Sequence, residues 1–313
     1  MNFQDTQLIG VLARADATVS QLSGLLSGLV ERFALHDAPL YLVGGSVRDA
    51  LLGRLGNDLD FTTPARPEVV YSILEDWAET VWDTGIDYGT VSAAYKGQQI
   101  EITTFRSDSY DGDSRNPEVV YGDTLEGDLV RRDFKVNAMA IELRPDGTRE
   151  FHDPMGGLQD LADRVLDTPD APEISFHDDP LRMLRAARFA AQLEFDVAKR
   201  VRGAMTDMAA EIQRITVERV QVELNKLICG AAPWNGIDLL VDTGIADFIF
   251  PEIPALRMAP DEHAQHKDVY AHSLTACAKP WTRKRRAPIS SCDGPRCCMT
   301  LASRIPATPL TAR

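Results

Sequence analysis

The stretch YLVGGSVRDALLGRLGNDLDFTT, residues 41–63, decides the fold of this chain. Its pattern predicts a strand, a glycine turn that opens a short helix, and a second strand that carries Asp58 and Asp60. Residues two apart on a strand point to the same face, so these carboxylates lie side by side while Leu59 and Phe61 point into a core. Two close carboxylates repel each other unless a cation lies between them, and hard oxygen ligands suit Mg²⁺.

The turn Gly44-Gly45-Ser46 comes directly before the short helix. Backbone N–H groups without large side chains, at the positive end of a helix, form a binding site for phosphate. Either feature alone is usually an ordinary turn or a solvated strand end. Together, in this order, a phosphate site and a two-carboxylate metal site indicate phosphoryl or nucleotidyl transfer.

This combination resembles the DNA polymerase β-like nucleotidyltransferase superfamily, whose signature is a Gly-Gly or Gly-Ser turn followed by Asp-x-Asp on the next strand. More narrowly, GGSVRD with DLDF is similar to the class II branch, the CCA-adding tRNA nucleotidyltransferases and bacterial poly(A) polymerases. The resemblance implies that Asp58 and Asp60 are catalytic metal ligands. The nucleotide-binding residues that it implies in this stretch are Gly44, Gly45, Ser46 and Arg48.

The chain around this motif predicts a mixed sheet with helices on one side. Residues 7–33 and 67–78 have helical periodicity, and the apolar face predicted for the first is Leu8, Val11, Leu12, Val19, Leu22, Leu25, Leu26 and Val30. Strands are expected near 80–83, 90–95 and 100–105. Residues 106–127 are rich in Asp, Ser, Gly and Asn, which predicts a mobile loop beside the site.

Glu101 lies on the last of these strands, in QIEITTFR. The superfamily commonly adds a third carboxylate from a neighbouring strand, and Glu101 is the candidate for this catalytic position. An exposed strand glutamate without a catalytic role is the alternative.

A second motif is DLVRRDFKVNAMAI, residues 128–141. Arginine side chains bind triphosphate oxygens well, and an asparagine can reach a ribose hydroxyl. Asp133 is expected to cap a short helix that runs through Asn137 and precedes a strand at 138–143. RRDFxxNA is the second motif of the class II family, with Lys135 where the family more often has Thr or Ser. The residues that match it, all implied to bind nucleotide, are Arg131, Arg132, Asp133 and Asn137.

Residues 151–161, FHDPMGGLQDL, resemble the third motif of the family, a flexible connector between head and neck domains. Further on, HDDPLRMLRAARFAAQLEF predicts a helix that Asp178 or Asp179 caps, with Pro180 in its first turn. Arg182, Arg185 and Arg188 recur along one face of that helix, and a solvated basic face is the alternative to a binding role. In the class II family an Asp and an Arg at these positions read the pairing edge of the incoming base. The resemblance gives these roles to Asp179 and Arg182, with Arg185 and Arg188 beside them as nucleotide-binding residues, and Asp178 replaces the family's Glu.

Residues 215–230 predict an amphipathic helix that resembles the fifth, neck-stabilising motif, and helical structure continues to about 253. Its polar side is expected to carry Glu218, Arg219, Glu223 and Lys226. Residues 263–275 then resemble the opening of an HD-type domain in which His272 is the first metal ligand. Such a domain also needs a later His-Asp pair, and none follows in this sequence.

The composition changes at Ala276: residues 276–313 contain eight basic residues, one acidic residue, four cysteines and five prolines. An RNA-binding arm or a zinc site is one interpretation, although the cysteine spacing fits no four-ligand zinc pattern well. A frameshift explains the tail better. Back-translation of 276–304 in a shifted frame permits LRQAMDPEEAGADLVVRWAALLHDIGKP, an amphipathic helix that ends in the missing His-Asp pair.

The whole chain of 313 residues, with 44% hydrophobic and 26% charged residues, is typical of a globular protein with two or three domains. No apolar run is long enough to span a membrane and residues 1–18 do not resemble a signal peptide, so the cytoplasm is the expected compartment. The net charge of -14 requires that any RNA contact be local, through a few arginines.

We therefore expect an α+β fold with four segments. The expected segments are a nucleotidyltransferase head at 1–160, a helical neck at 161–258, the start of a truncated HD-type domain at 259–275, and an aberrant tail at 276–313. The resemblance implies Mg²⁺-dependent addition of CCA to the 3′ end of tRNA from CTP and ATP. Poly(A) addition and an inactive truncated remnant are the alternatives.

Overall fold

The computed structural model describes residues 3–107, 120–257, 270 and 274. These residues form two compact units. The first runs to Arg182 and includes Phe195–Ala204, and the second consists of Met183–Glu194 and the described residues from Met205 onward. The fold is α+β, as the sequence predicts.

Among the described residues of the first unit, eleven strands form one large sheet and two small ones. The strands are β1 Leu40–Val43, β2 Asp58–Thr63, β3 Thr80–Trp82, β4 Thr90–Tyr95, β5 Gln98–Thr104, β6 Arg106–Ser107, β7 Val120–Tyr121, β8 Ala140–Leu143, β9 Arg149–His152, β10 Val165–Leu166 and β11 Asp196–Val197. The large sheet has seven strands in the order β3-β4-β5-β2-β1-β8-β9. It is mixed, because β2 and β5 are parallel and the other neighbours are antiparallel.

Twelve α-helices are described along the chain. They are α1 Phe3–Ser20, α2 Ser23–Ala34, α3 Gly44–Leu51, α4 Pro67–Glu75, α5 Leu125–Val130, α6 Gly157–Asp163, α7 Pro172–Asp178, α8 Leu181–Leu193, α9 Lys199–Asp207, α10 Val217–Ile228, α11 Pro233–Asp242 and α12 Ala246–Ile249. The order strand, short helix, strand that residues 41–63 predict is therefore confirmed as β1, α3 and β2.

One face of the sheet forms the main core of the first unit. Leu59 and Phe61 of β2 are each 1% exposed, and Ile100 and Ile102 of the adjacent β5 are fully buried. Full burial of an apolar side chain of this size contributes about 1.5–3 kcal/mol, so the alternation at the start of β2 fixes which face carries the apolar side chains. Asp58 and Asp60 are consequently held on the opposite face.

The predicted helix at 7–33 is wrong in one respect, because it is two helices that separate at residues 21–22. The hydroxyls of Thr18 and Ser20 donate to the carbonyls of Arg14 and Asp16, at 2.7 Å each. Such back-bonding competes with the backbone ladder near a helix end. Half of the predicted apolar face is buried, namely Val19, Leu25, Leu26 and Val30, whereas Leu8, Val11, Leu12 and Leu22 are half-buried.

The ends of the predicted loop at 106–127 are regular in the structure. β6 and β7 pair at its two sides, and Thr124 caps α5 by accepting a hydrogen bond from the Gly127 backbone at 3.2 Å. Residues 108–119 lie outside the described residues, and so does the prediction about their mobility.

Helices α10, α11 and α12 belong to the second unit. The expected position of Glu223 on the solvated side of α10 is wrong: the residue is 5% exposed, and its Oε2 lies 2.7 Å from Nε of Arg188. Apolar residues take solvated positions instead, since Val217 is 68% exposed. The ion pair with Arg188 therefore stabilises Glu223 in a buried position.

The predictions for 263–275 and for the tail concern the HD-type domain, His272 and the frameshift. They lie outside the described residues except for Tyr270 and Leu274, which are helical. The boundaries predicted at 160, 258 and 275 remain predictions. No helix in the described part of the chain is both long enough and apolar enough to span a membrane.

Candidate active site

Asp58 and Asp60 lie at the start of β2, where the burial pattern alternates from exposed to buried to half-buried. The parallel pairing of β2 with β5 places Glu101 directly beside Asp60. The predicted third carboxylate is thus next to the pair on the neighbouring strand, and Glu101 is exposed.

Burial raises the pKa of Asp60 to about 6. Arg132 and Arg48 lower this pKa, while the carboxylates of Glu101 and Asp58 raise it. A cation bound among these oxygens would remove the repulsion that opposes their ionisation. The donor set is made of hard carboxylate oxygens and therefore fits Mg²⁺.

Among the described residues, a second cluster has a spacing that could hold a metal ion. It consists of Glu142, Glu150 and His152, whose ligand atoms lie within 4.8 Å of one another. Arg144 bridges the two carboxylates of this group. Its Nη2 donates to Oε2 of Glu142 at 2.7 Å and also to Oε2 of Glu150. An internal cation thus accounts for the acidic pair of β8 and β9.

The glycine turn lies against Asp60 at the N-terminus of α3. Gly44 has a φ of +66°, and a Cβ at this position would lie 2.9 Å from Nη1 of Arg132 and 3.5 Å from Oδ2 of Asp60. A Cβ on Gly45 would lie 3.5 Å from Nη2 of Arg48 and 3.8 Å from the same Asp60 oxygen. The helix N-terminus, a carboxylate and two guanidinium groups thus border one space, which only small residues leave open.

Ser46 has a structural contact that the sequence does not reveal. Its hydroxyl donates to the carbonyl of Asp58 at 3.2 Å and accepts from the backbone N–H of Asp60 at 2.9 Å. The hydroxyl therefore fixes α3 to the strand that carries the carboxylates. The backbone N–H groups at the start of α3 are the part of the turn left for a phosphate.

Three predicted nucleotide-binding residues form a buried chain of hydrogen bonds. Nη1 of Arg48 donates to Oδ1 of Asn137 at 2.7 Å, and Nδ2 of Asn137 donates to Oδ1 of Asp133 at 2.9 Å. Asp133 also accepts from the backbone N–H of Phe134 at 2.8 Å. The short helix that follows is a 3₁₀ turn at Lys135–Asn137. These contacts link the second motif to α3 beside the carboxylates.

Asp128 is a functional candidate that the sequence reasoning missed. It is fully buried, and both of its oxygens accept hydrogen bonds from the predicted triphosphate arginines. Oδ1 accepts from Nη2 of Arg131 at 3.1 Å, and Oδ2 accepts from Nη2 of Arg132 at 2.9 Å. Burial opposes ionisation, yet Arg132 and Arg131 outweigh it and hold the pKa of Asp128 below its usual value. The available signal was an acid three and four residues before a pair of arginines.

The third motif comprises the end of β9, a turn and most of α6. Its role as a flexible connector remains a prediction. Asp153 accepts from the backbone N–H groups of Gly157 and Leu158 at 2.6 and 2.9 Å and so caps α6. A Cβ on Gly157 would lie 2.1 Å from the carbonyl oxygen of Lys135, a distance that only glycine permits. Nζ of Lys135 lies 4.0 Å from Oδ2 of Asp160, so this motif packs on the turn that carries Asn137.

Asp179 and Arg182 lie at the start of α8 in the first unit. Oδ1 of Asp179 accepts from the backbone N–H of Leu181 at 3.2 Å and thereby caps the helix, whereas Asp178 ends the preceding α7. Arg182 donates to the Ser175 hydroxyl at 2.9 Å and to the carbonyl of Arg131 at 2.6 Å. The predicted base-reading arginine is therefore attached to the segment that carries the triphosphate arginines.

Arg185 and Arg188 belong to the second unit. The guanidinium of Arg188 lies 4.1 Å from the centre of the Phe189 ring and is paired with Glu223. Arg185 lies 5.7 Å from the same ring centre. Arg188 thus has an internal partner, and its predicted role in nucleotide binding remains a prediction.

Comparison with known proteins agrees with these motifs. Residues 40–167 match the poly A polymerase head domain, and residues 194–256 match the probable RNA and SrmB-binding site of polymerase A. The CCA-adding enzyme of Levilactobacillus brevis is 44% identical over 206 residues, which are 66% of this chain and 50% of the relative. That of Geobacillus kaustophilus is 37% identical over 82% of this chain and 59% of the relative.

Two solved structures of CCA-adding enzymes are also similar to this chain. The Bacillus stearothermophilus CCA-adding enzyme in complex with CTP aligns with a TM-score of 0.61 and 36% identity, over 70% of this chain and 51% of that one. A CCA-adding enzyme in an apo form aligns with a TM-score of 0.64 and 25% identity, over 90% of this chain and 69% of that one. The chain spans about half to three-fifths of the length of these curated relatives.

Proposed function

The chain belongs to the family of CCA-adding enzymes and poly(A) polymerases, and we propose that it adds C, C and A to the 3′ end of tRNA from CTP and ATP without a template. The observation that carries this proposal is the space at Gly44. A helix N-terminus, the Asp60 carboxylate and the guanidinium of Arg132 border it together.

The carboxylates and the cations of this space have complementary tasks. Asp58 and Asp60, with Glu101 beside them, would hold Mg²⁺, which when bound lowers the pKa of a coordinated hydroxyl and offsets phosphate charge. The backbone N–H groups at the start of α3 bind the triphosphate at the positive end of the helix. Arg132 and Arg131 bind its remaining oxygens through their planar guanidinium groups.

The reaction that these residues support is attack of the terminal RNA 3′-hydroxyl on the α-phosphate of the bound nucleotide. The new phosphodiester bond forms as the bond to pyrophosphate breaks, and the hydroxyl proton leaves to solvent. Fixed positive groups bind the departing pyrophosphate, so positioning and charge stabilisation account for most of the rate. Because Asp128 holds both arginines and Asn137 holds Arg48, the cationic groups are preorganised.

Asp179 and Arg182 are the proposed base-reading pair. A carboxylate accepts hydrogen bonds and a guanidinium donates them, so together they can match the pairing edge of cytosine or adenine. The bond from Arg182 to the carbonyl of Arg131 supports this proposal, because it links the arginine to the triphosphate-binding segment. Asp179 caps α8 through Oδ1, so base reading would use its remaining acceptor positions.

The test is nucleotide incorporation into tRNA that lacks its CCA end, with Mg²⁺ and labelled CTP alone, ATP alone, or both. We expect two C residues with CTP alone and a single A that depends on prior C addition. Addition of many A residues with ATP alone would replace this proposal with poly(A) synthesis. No incorporation by a folded sample that still binds CTP would indicate a chain that cannot hold tRNA, which is the inactive-remnant alternative.

The role of Arg182 has its own readout in the same assay. Arg182→Ala is expected to raise the KM for CTP and to reduce the preference for CTP over UTP on the first addition. Arg202→Ala, at an exposed position of α9, is the matched control and is expected to leave both quantities unchanged. Equal discrimination by wild type and Arg182→Ala would refute the assignment.

A further inference from the structure

Arg132 lies between two carboxylates of different burial. Its Nη2 donates to Oδ2 of Asp128 at 2.9 Å. A Cβ on Gly44 would lie 2.9 Å from Nη1 of Arg132 and 3.5 Å from Oδ2 of Asp60, so both atoms border the same space. The guanidinium of Arg132 therefore lies beside the proposed metal ligand Asp60 while it is hydrogen-bonded to Asp128.

Asp128 is the stronger partner for this arginine. It is fully buried whereas Asp60 is half-buried, and a charge interaction is screened less where water is excluded. Asp128 also lies four residues before Arg132, at the helical spacing that brings such side chains together. Both nitrogens of the guanidinium fork have fixed directions, so the bond to Asp128 also sets where Nη1 points.

Removal of the Asp128 charge would leave Arg132 with Asp60 as the nearby carboxylate. Arginine stays protonated at any working pH, so a pair with Asp60 would compete directly with a divalent cation for the same oxygens. We propose that Asp128 is a positioning residue that retains Arg132 and thereby keeps Asp60 available to Mg²⁺. The inference rests on the proposed function, because it takes Asp60 as a metal ligand.

The experiment measures Mn²⁺ binding to the full chain in the absence of nucleotide and RNA, as a probe of the Mg²⁺ site. Asp60→Asn identifies which part of the binding isotherm belongs to this site, since the group Glu142, Glu150 and His152 offers other ligands. We expect Asp128→Asn to weaken the Asp60-dependent binding about tenfold, roughly the effect of one hydrogen bond to a charged group. Half-maximal incorporation by this variant should also require more Mg²⁺, with recovery at saturating metal.

Two double variants separate a released arginine from a simple change of charge. Asp128→Asn with Arg132→Gln and Asp128→Asn with Arg131→Gln have the same net charge as wild type. The first is expected to recover Mn²⁺ affinity, because Arg132 can no longer pair with Asp60, and the second is expected to stay weak. Equal recovery by both would overturn the proposal in favour of long-range charge.

Arg131→Gln alone covers the case in which Asp128→Asn does not fold. It leaves the bond between Asp128 and Arg132 in place, so Asp60-dependent Mn²⁺ binding should be as tight as in wild type. Binding more than about threefold weaker would overturn the proposal. If Mn²⁺ binding depends on Asp60 but is insensitive to Asp128→Asn, this inference fails alone; if wild type shows no Asp60-dependent binding, the metal site of the proposed function fails with it.

Discussion

Substitution of Gly44 by alanine separates backbone strain from crowding of the proposed triphosphate site. Gly44 has a φ of +66° and Gly147, in the turn between β8 and β9, has a φ of +82°. Alanine at either position adopts a left-handed conformation that costs about 1–2 kcal/mol, which lowers the Tm of a unit this size by several degrees. The two variants should therefore lose similar stability.

Only Gly44→Ala is expected to impair nucleotide binding. Its Cβ would lie 2.9 Å from Nη1 of Arg132, whereas no atom lies within 4 Å of a Cβ on Gly147. Nη1 must withdraw by about half an ångström to reach ordinary contact, while Nη2 stays bound to Asp128. Loss of one charge-assisted bond to phosphate costs about 1.5–3 kcal/mol, so the Kd for CTP should rise roughly tenfold to a hundredfold.

The assay combines thermal unfolding with equilibrium binding of CTP for wild type, Gly44→Ala and Gly147→Ala. Cytidine, which lacks phosphates, should bind the two variants equally and thus locates the defect at the triphosphate. Wild-type CTP affinity in Gly44→Ala would refute the reasoning, and so would an equal loss in Gly147→Ala.

Two further predictions concern stability. Burial raises the pKa of Asp160 from 3.8 to about 6. At pH values between these two, Asp160 has lost its proton in the unfolded chain and retains it in the folded chain. The free energy of unfolding therefore falls as pH rises. Asp160→Asn should therefore raise the Tm by about 2–4 °C at pH 7.5 and little at pH 4.5, and an equal shift at both would contradict this. Glu223→Gln removes the carboxylate that lies 2.7 Å from Arg188, whose side chain is only 11% exposed. In denaturant unfolding this variant should lower the free energy of unfolding by about 3 kcal/mol, and Glu218→Gln, at an exposed position, by less than about 0.5 kcal/mol.

The local chemistry of residues 41–63 could be predicted from the sequence. The period of two in β2 separates Leu59 and Phe61 from Asp58 and Asp60, and burial of the apolar pair is confirmed. Such features depend on neighbours within a few residues, which is why the strand, helix and strand follow from the pattern alone.

Features that depend on distant partners could not be predicted in this way. Glu223 occupies a polar position of the helical pattern, yet Arg188, a half-buried arginine 35 positions earlier, pairs with it at 2.7 Å. Ser46 bonds to the backbone of β2, which the sequence presents only as a glycine turn and a strand. Asp128 has the helical spacing for an ion pair, but its complete burial comes from the surrounding fold. Sequence periodicity identifies a face and not the side chain that covers it.

The most direct test of the catalytic centre compares wild type with Asp60→Asn under single-turnover conditions with Mg²⁺. It measures the incorporation of labelled CMP into tRNA that lacks its CCA end. We expect transfer by wild type and a loss of at least about 10³-fold in the variant, because charge stabilisation by a bound metal is worth several kcal/mol. The variant should retain CTP binding through α3 and Arg132. Transfer by Asp60→Asn at the wild-type rate would contradict the assignment of this space as the catalytic centre.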